Sequence, residues 1–180
     1  MKMSYIKRLT LTALCVALCV VVPMAFHVIP NAGQVMLPMH IPVLLCGLVC
    51  GWQYGLLCGI LGPLVSSVLT SMPPSAMLPG MMVECGMYGC VGGLMMEHIH
   101  TGSLYADLYL SLPVAMLMGR VISGIVKALI LTPGLSLTAW VTASFVTALP
   151  GISIQLILLP TLIVALTRAG LIPDRYAYRR

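Results

Sequence analysis

Apolar residues run along this chain in long blocks, and the polar residues between them come in short clusters. Residues 9–26 form the first block, preceded by Lys2, Lys7 and Arg8 and followed by a polar, turn-forming break at 28–34 (VIPNAGQ). Apolar sequence then extends over residues 36–70, about 52 Å of helix at 1.5 Å per residue. That is too long for one crossing of a ~30 Å hydrocarbon core. Trp52-Gln53-Tyr54 divides this block into two short helices, with a glycine and interface-favouring aromatic residues at the join. Residues 71–79 (SMPPSAMLP) read as a loop, 76–96 as the fourth helix, 97–106 (EHIHTGSLYA) as a polar connection, and 107–131 as the fifth helix. A turn at 132–136 leads to a sixth helix over 137–166, bent where Pro150-Gly151 interrupts it.

Composition turns this pattern into a class. The 180 residues are 60% hydrophobic and only 7% charged, against about 25% charged in soluble domains, and mean hydropathy is +1.07. The expectation is an all-α polytopic membrane protein, one domain over residues 1–180 with six transmembrane helices. No small-x-small cleavage site follows the first block, so it reads as a retained span rather than a signal peptide. Nine Lys and Arg against four acids give a net charge of +5. Lys2, Lys7 and Arg8 lie at one end, Arg168, Arg175, Arg179 and Arg180 at the other, and none falls in an intervening loop. The positive-inside rule then places both termini in the cytoplasm. This is a topology signal and not a nucleic-acid footprint.

The chemistry concentrates in residues 107–131, which carry Arg120 and Lys127 inside an apolar helix. A cation at the centre of a membrane helix costs roughly 2.5–3.5 kcal/mol on insertion scales. The two are seven residues apart, so they share one face, with Ser123 and Gly124 between them. Glu84 and Tyr88 share a face of the preceding helix, and His40 follows the first polar break closely. Counting rises from the helix ends puts Glu84 and Arg120 at similar depth. The expected arrangement is therefore Glu84 pairing with Arg120 at mid-membrane and Lys127 above them facing an anionic ligand. Structural glue between helices, a snorkelling Lys127 and a hydrogen-bonded interior His40 are the alternatives. Convergence of these groups in one half of the membrane points to a capture site and not to a through-pore.

Several classes drop out. No G-x-x-x-x-G-K-[ST] loop is present, so the chain does not power transport with ATP on its own. No Ser–His–Asp or paired-carboxylate set points to an enzyme. The seven cysteines all lie in apolar runs and read as small buried hydrophobes. Glu97-His98-Ile99-His100 lacks the partners of a zinc set, so neither metal nor cofactor is expected. Glycines 47, 51, 55 and 59 recur every four residues, a spacing that lets helix backbones approach closely. Ala13 and Ala17 form a small-xxx-small pair on the first helix, open to internal packing or to docking of another membrane subunit.

Four features together resemble the substrate-binding S components of energy-coupling factor (ECF) vitamin transporters. They are six spans in about 180 residues, Thr12-Ala13-Leu-Cys-Val-Ala17, Pro38-Met-His-Ile-Pro42 with the Gly51…Gly55…Gly59 run, and Met72-Pro-Pro74 leading into the helix of Glu84 and Tyr88. The resemblance implies that Ala13 and Ala17 meet a transmembrane coupling subunit that works with two ATPases in a bacterial cytoplasmic membrane. It also implies that residues 28–34, with Asn31 and Gln34, lid a pocket built by the outer halves of helices four to six. The expected substrate site is Asn31, Gln34, His40, Glu84, Tyr88, Arg120 and Lys127. Two cations on one helix favour a carboxylate or phosphate, and 6% aromatic content argues against a large flat ring. Pantothenate fits both, with nicotinate and folate-like acids left open. A structural assembly subunit and a self-sufficient small secondary carrier are the competing readings.

Overall fold

The computed structural model of the chain describes residues 3–25, 35–131 and 136–173, and its regular structure there is helical throughout. The helices are α1 (Tyr5–Ala25), α2 (His40–Cys50), α3 (Trp52–Thr70), α4 (Leu78–His98), α5 (Leu104–Val126), α6 (Leu137–Val141) and α7 (Leu149–Arg168). Helix α5 runs on as a π-helical turn at Lys127–Leu131, and α6 does the same at Thr142–Thr147. Among the described residues, four stretches are long and apolar enough to cross a bilayer: Tyr5–Ala25, Trp52–Thr70, Leu104–Ile130 and Leu149–Arg168. Helix α4 has 21 residues but is diluted by glycines and by Glu84. Helix α2, with 11 residues, rises only about 16 Å, short of a ~30 Å core.

The division of residues 36–70 falls at Gly51, one residue before the aromatic triplet expected to mark it. Gly51 has φ +102°, a backbone conformation that side-chain-bearing residues rarely adopt. Its N–H still closes the last turn of α2 on the Gly47 carbonyl at 3.1 Å. Trp52-Gln53-Tyr54 then forms the first turn of α3 instead of a linker. Other boundaries move outward. Helix α1 starts at Tyr5, where Ser4 Oγ accepts the Lys7 N–H at 3.4 Å and so meets one of the free N-terminal donors. Helix α5 starts at Leu104, because Asp107 in its first turn gathers the Thr101 N–H at 2.8 Å and the Thr101 hydroxyl at 2.7 Å. The interruption near Pro150 is real, and Pro150 lies in the first turn of α7, where a missing N–H costs no helical bond.

Helix α4 is the centre of the bundle, packing on α2, α3 and α5, while α1 leans on α2 and α3 and α7 reaches α5 and α2. Glycine makes this closeness possible. A methyl group added at Gly47 or Gly55 would run into the Gly89 backbone, one at Gly59 into the Cys85 backbone, and one at Gly93 into that of Trp52. The four-residue glycine rhythm of α2 and α3 thus meets a matching set on α4. Against α5 the register is antiparallel and one turn repeats after another. A side chain built on Gly80 meets Lys127, Glu84 meets Ser123, one built on Gly119 meets Tyr88, and one built on Gly92 meets Ala115.

Six of the seven cysteines behave as expected of small buried hydrophobes, with Cys19, Cys58 and Cys85 fully buried and Cys15, Cys46 and Cys50 nearly so, whereas Cys90 is only partly buried. No group of three or more His, Cys, Asp or Glu side chains among the described residues can hold a metal ion.

Two glycines on α4 should respond oppositely to alanine. At Gly89 the added methyl faces backbone that cannot yield, so Gly89→Ala should destabilise by about 1–3 kcal/mol, as overpacking does. At Gly92 the nearest atoms are side-chain carbons at 3.7–3.8 Å, ordinary contacts, and alanine gains up to about 1 kcal/mol of helix propensity. Thermal melting of the two variants in detergent checks this: the expected result is a lowered midpoint for the first and an equal or raised one for the second.

Candidate functional site

Polar side chains converge between α2, α4 and α5 near the starts of α2 and α4 and the end of α5. Glu84 is their hub. Lys127 Nζ donates to Glu84 Oε2 at 2.9 Å, the Ser123 hydroxyl donates to the same oxygen at 3.3 Å, and His40 Nε2 lies 3.6 Å from Glu84 Oε1. That last distance exceeds a hydrogen bond but falls within reach of an ion pair if the ring is protonated. Gly80 leaves the space through which the Lys127 stem passes, since a side chain there would meet Lys127 Cε at 2.6 Å.

One turn deeper, Tyr88 is fully buried, its ring packed on His40 at 5.0 Å between centroids. Gly119 of α5 makes room for it; any larger residue there would strike the Tyr88 ring. Arg120 is only 3% exposed. Its guanidinium carbon lies 5.9 Å from the Tyr88 ring centre and 5.6 Å from that of Phe145, distances at which a cation is attracted to an aromatic face. Phe145 is held by an edge-on contact with Trp140, which in turn lies over Gly124.

The expected Glu84–Arg120 pair does not form. Glu84 takes Lys127, and Arg120 sits beside aromatic rings. The cause is the α4–α5 register: Glu84 is level with Ser123, so Lys127 one turn along reaches it, whereas Arg120 is level with Tyr88. Depth counted from residues 76 and 131 sets Glu84 too deep, because α4 begins at Leu78, which brings Glu84 nearer its helix end. His40, Glu84, Tyr88, Arg120 and Lys127 are therefore brought together, with the pairing rearranged. Asn31 and Gln34 lie outside the described residues.

Arg120 Nη2, the Tyr88 hydroxyl and both His40 ring nitrogens in this cluster, and Gln155 Oε1 on α7, are buried without a hydrogen-bond partner among the described residues. Gln155, on α7, is fully buried, and its amide donates to the Leu37 carbonyl at 3.4 Å, beside the start of α2. Gln155 and Phe145 are site residues that sequence reasoning missed. The signal for Gln155 was present as the lone amide in an otherwise apolar stretch. Phe145 carried none, because an aromatic residue in a membrane helix ordinarily faces lipid or core.

Ala13 and Ala17 lie away from this cluster, exposed on α1, while Thr12, Cys15 and Cys19 form its buried face. Among the described residues, neither alanine is buried against another helix. A cavity of about 540 Å³ opens at the opposite end of the bundle from Glu84, bordered by Arg8, Gly51, Glu97 and Leu104 among others.

The geometry is that of polar and charged side chains enclosed among apolar helices, four of them long enough to cross a membrane. No curated protein matches the chain. The family model described as "ECF transporter, substrate-specific component" matches residues 7–163, nearly the whole helical bundle, and the chain therefore belongs to the family of ECF transporter substrate-specific components.

Proposed function

We propose that the chain captures a small anionic vitamin, pantothenate being favoured, from outside the cell and hands it to an ECF module for ATP-driven import. In this reading the chain passes through the membrane six times, by α1, by the short α2 together with the residues leading into it, and by α3, α4, α5 and α6 with α7, so that both termini lie in the cytoplasm of a bacterial cell. The substrate enters at the end of the bundle that holds Glu84, beneath a lid formed by residues 28–34 with Asn31 and Gln34.

The observation that carries the anionic reading is the charge count of the cluster. Glu84 and Lys127 neutralise each other at 2.9 Å, which leaves the buried guanidinium of Arg120 as the excess charge, with Nη2 unpartnered among the described residues. A substrate carboxylate placed there compensates that charge and gains a charge-assisted hydrogen bond. The anion is accordingly assigned to Arg120, and Lys127 to holding Glu84. The Tyr88 hydroxyl and Gln155 Oε1 supply neutral contacts, the latter accepting from a hydroxyl or amide N–H such as pantothenate carries.

Mass spectrometry of the small molecule that co-purifies with the protein identifies the substrate, and titration with it tests the assignment. Loss of a charged hydrogen bond removes about 1.5–3 kcal/mol, so Arg120→Gln should weaken binding at least about tenfold, with Arg120→Lys intermediate. Lys127→Gln should chiefly lower thermal stability, since it strips a buried carboxylate of its cation. An unchanged dissociation constant in a folded Arg120→Gln protein removes the anion assignment.

Coupling is assigned to the exposed alanine pair of α1. Its small side chains let a partner helix come close, so replacing both Ala13 and Ala17 with Leu should abolish uptake in cells that also express the module and leave substrate affinity within about twofold, as distant, independent sites do. A double variant that still assembles and transports would sink this assignment.

A further inference from the structure

We propose that the cavity at the far end of the bundle from Glu84 is a binding site for a phosphoethanolamine-type zwitterion, with Arg8 holding the phosphate and Glu97 the ammonium. This proposal does not rest on the substrate reading, which concerns the other end of the molecule.

The cavity encloses about 540 Å³, a volume typical of small-molecule pockets. Met3, Leu48, Ile163 and Ile172 give it apolar walls, and Arg8 and Glu97 bring opposite charges to it from α1 and α4. Both charged groups reach the empty side of Gly51. A methyl group built there would lie 3.2 Å from Glu97 Oε1 and 3.9 Å from Arg8 Nη1, so the two are within about 7 Å of each other, the sum of those distances. They are not joined: the ion pairs found among the described residues are those of Glu84 with His40 and Lys127. Arg8 Nε is moreover buried without a hydrogen-bond partner among the described residues. Gly51 cannot readily be replaced, because its φ of +102° strains any side-chain-bearing residue. The gap between the two charges is therefore built into the backbone.

A cation and an anion held a few ångströms apart across an open space match a ligand that carries both charges in reverse. A simple anion would meet Glu97, and a simple cation would meet Arg8. Phosphoethanolamine, with phosphate and ammonium separated by two carbons, satisfies both: guanidinium binds phosphate through paired N–H donors, and a primary ammonium donates to the carboxylate. A choline headgroup has no N–H to give, and a glycerol headgroup has no cation.

Position indicates where such a ligand comes from. The four long apolar stretches all have an end at this level, at Tyr5, Trp52, Leu104 and Arg168. Met3, Leu104 and Thr167 of the cavity wall sit beside those ends. Tyr5, Trp52, Tyr54 and Tyr105 lie within two residues of those ends, as aromatic residues do at the membrane–water boundary. A headgroup at the boundary enters sideways from the bilayer, with its glycerol and first methylenes along the apolar wall. A soluble zwitterion of the same chemistry enters from water.

The test uses the full-length chain in nanodiscs containing equal amounts of ethanolamine, choline and glycerol phospholipids, with native mass spectrometry of the lipids retained. The expected result is ethanolamine lipid enriched at least about tenfold over the other two, the worth of one charge-assisted hydrogen bond. Arg8→Gln and Glu97→Gln should each abolish the enrichment with little change in melting temperature. The exchange Arg8→Glu with Glu97→Arg separates a ligand site from a mere internal pair. An internal pair survives the exchange, whereas a lipid whose phosphate is tied to its glycerol cannot turn round, so the enrichment should stay lost. Soluble phosphoethanolamine is added in parallel: displacement of the retained lipid assigns the site to the free zwitterion, and failure to displace assigns it to the bilayer. Equal retention of all three lipids, an enrichment that persists in both single variants, or its recovery in the exchanged protein would overturn the proposal.

Discussion

A carboxylate on a membrane helix has to be neutralised, and Glu84 shows how much follows from that. Taking a charge out of water costs several kcal/mol even after relaxation, and an ion pair recovers this only with good geometry and added hydrogen bonds. Glu84 has both, with Lys127 at 2.9 Å and the Ser123 hydroxyl at 3.3 Å on the same oxygen. For these two α5 residues to reach one α4 oxygen, the helices must be antiparallel in a single register. That register brings Gly80 against the lysine stem and Gly119 against the Tyr88 ring. One electrostatic requirement thus decides which residues of α4 and α5 face each other along several turns.

The register is usable only because the backbones come close enough. Between apolar helices in lipid there is no hydrophobic drive, so association relies on packing. Here α4 supplies Gly89 and Gly93 to the glycines of α2 and the backbone of α3. The same glycine content lowers the helix propensity of α4 and its apolarity. It is the least membrane-like of the long helices by composition and the most enclosed by neighbours. Its place in the protein depends on helices already around it.

Much of this was legible in the chain. Blocks of apolar residues located the described helices, with one block divided into α6 and α7, because a bilayer demands long apolar runs and the polar breaks between them are short. The glycine rhythm and the shared stripe of Arg120 and Lys127 were likewise read correctly, since both follow from helical periodicity within one segment. What could not be read was the relation between segments. Glu84 was matched to Arg120 on estimated depth, and an offset of about one turn, roughly 5.4 Å, was enough to exchange its partner. Gln155 and Phe145 escaped for the same reason. Their roles arise from α6 and α7 lying against α5 and α2, which no pattern within residues 137–166 specifies. Gly51 shows the opposite case: a local backbone requirement that sequence had placed to within one residue.

The two cations of α5 show why depth alone does not define function. Lys127 meets a carboxylate and its charge is spent locally. Arg120 meets two aromatic faces, 5.9 and 5.6 Å from its guanidinium carbon. A ring quadrupole attracts a cation but carries no net charge, so Arg120 is held in place without being neutralised. A ring face takes up none of the guanidinium's N–H donors as a carboxylate would, consistent with the unpartnered Nη2. A carboxylate in place of Phe145 would anchor the arginine more strongly and would also quench it. Aromatic support is therefore an arrangement that keeps a buried cation positioned without neutralising it, and the glycines at 119 and 124 are what admit Tyr88 and Trp140 to provide it.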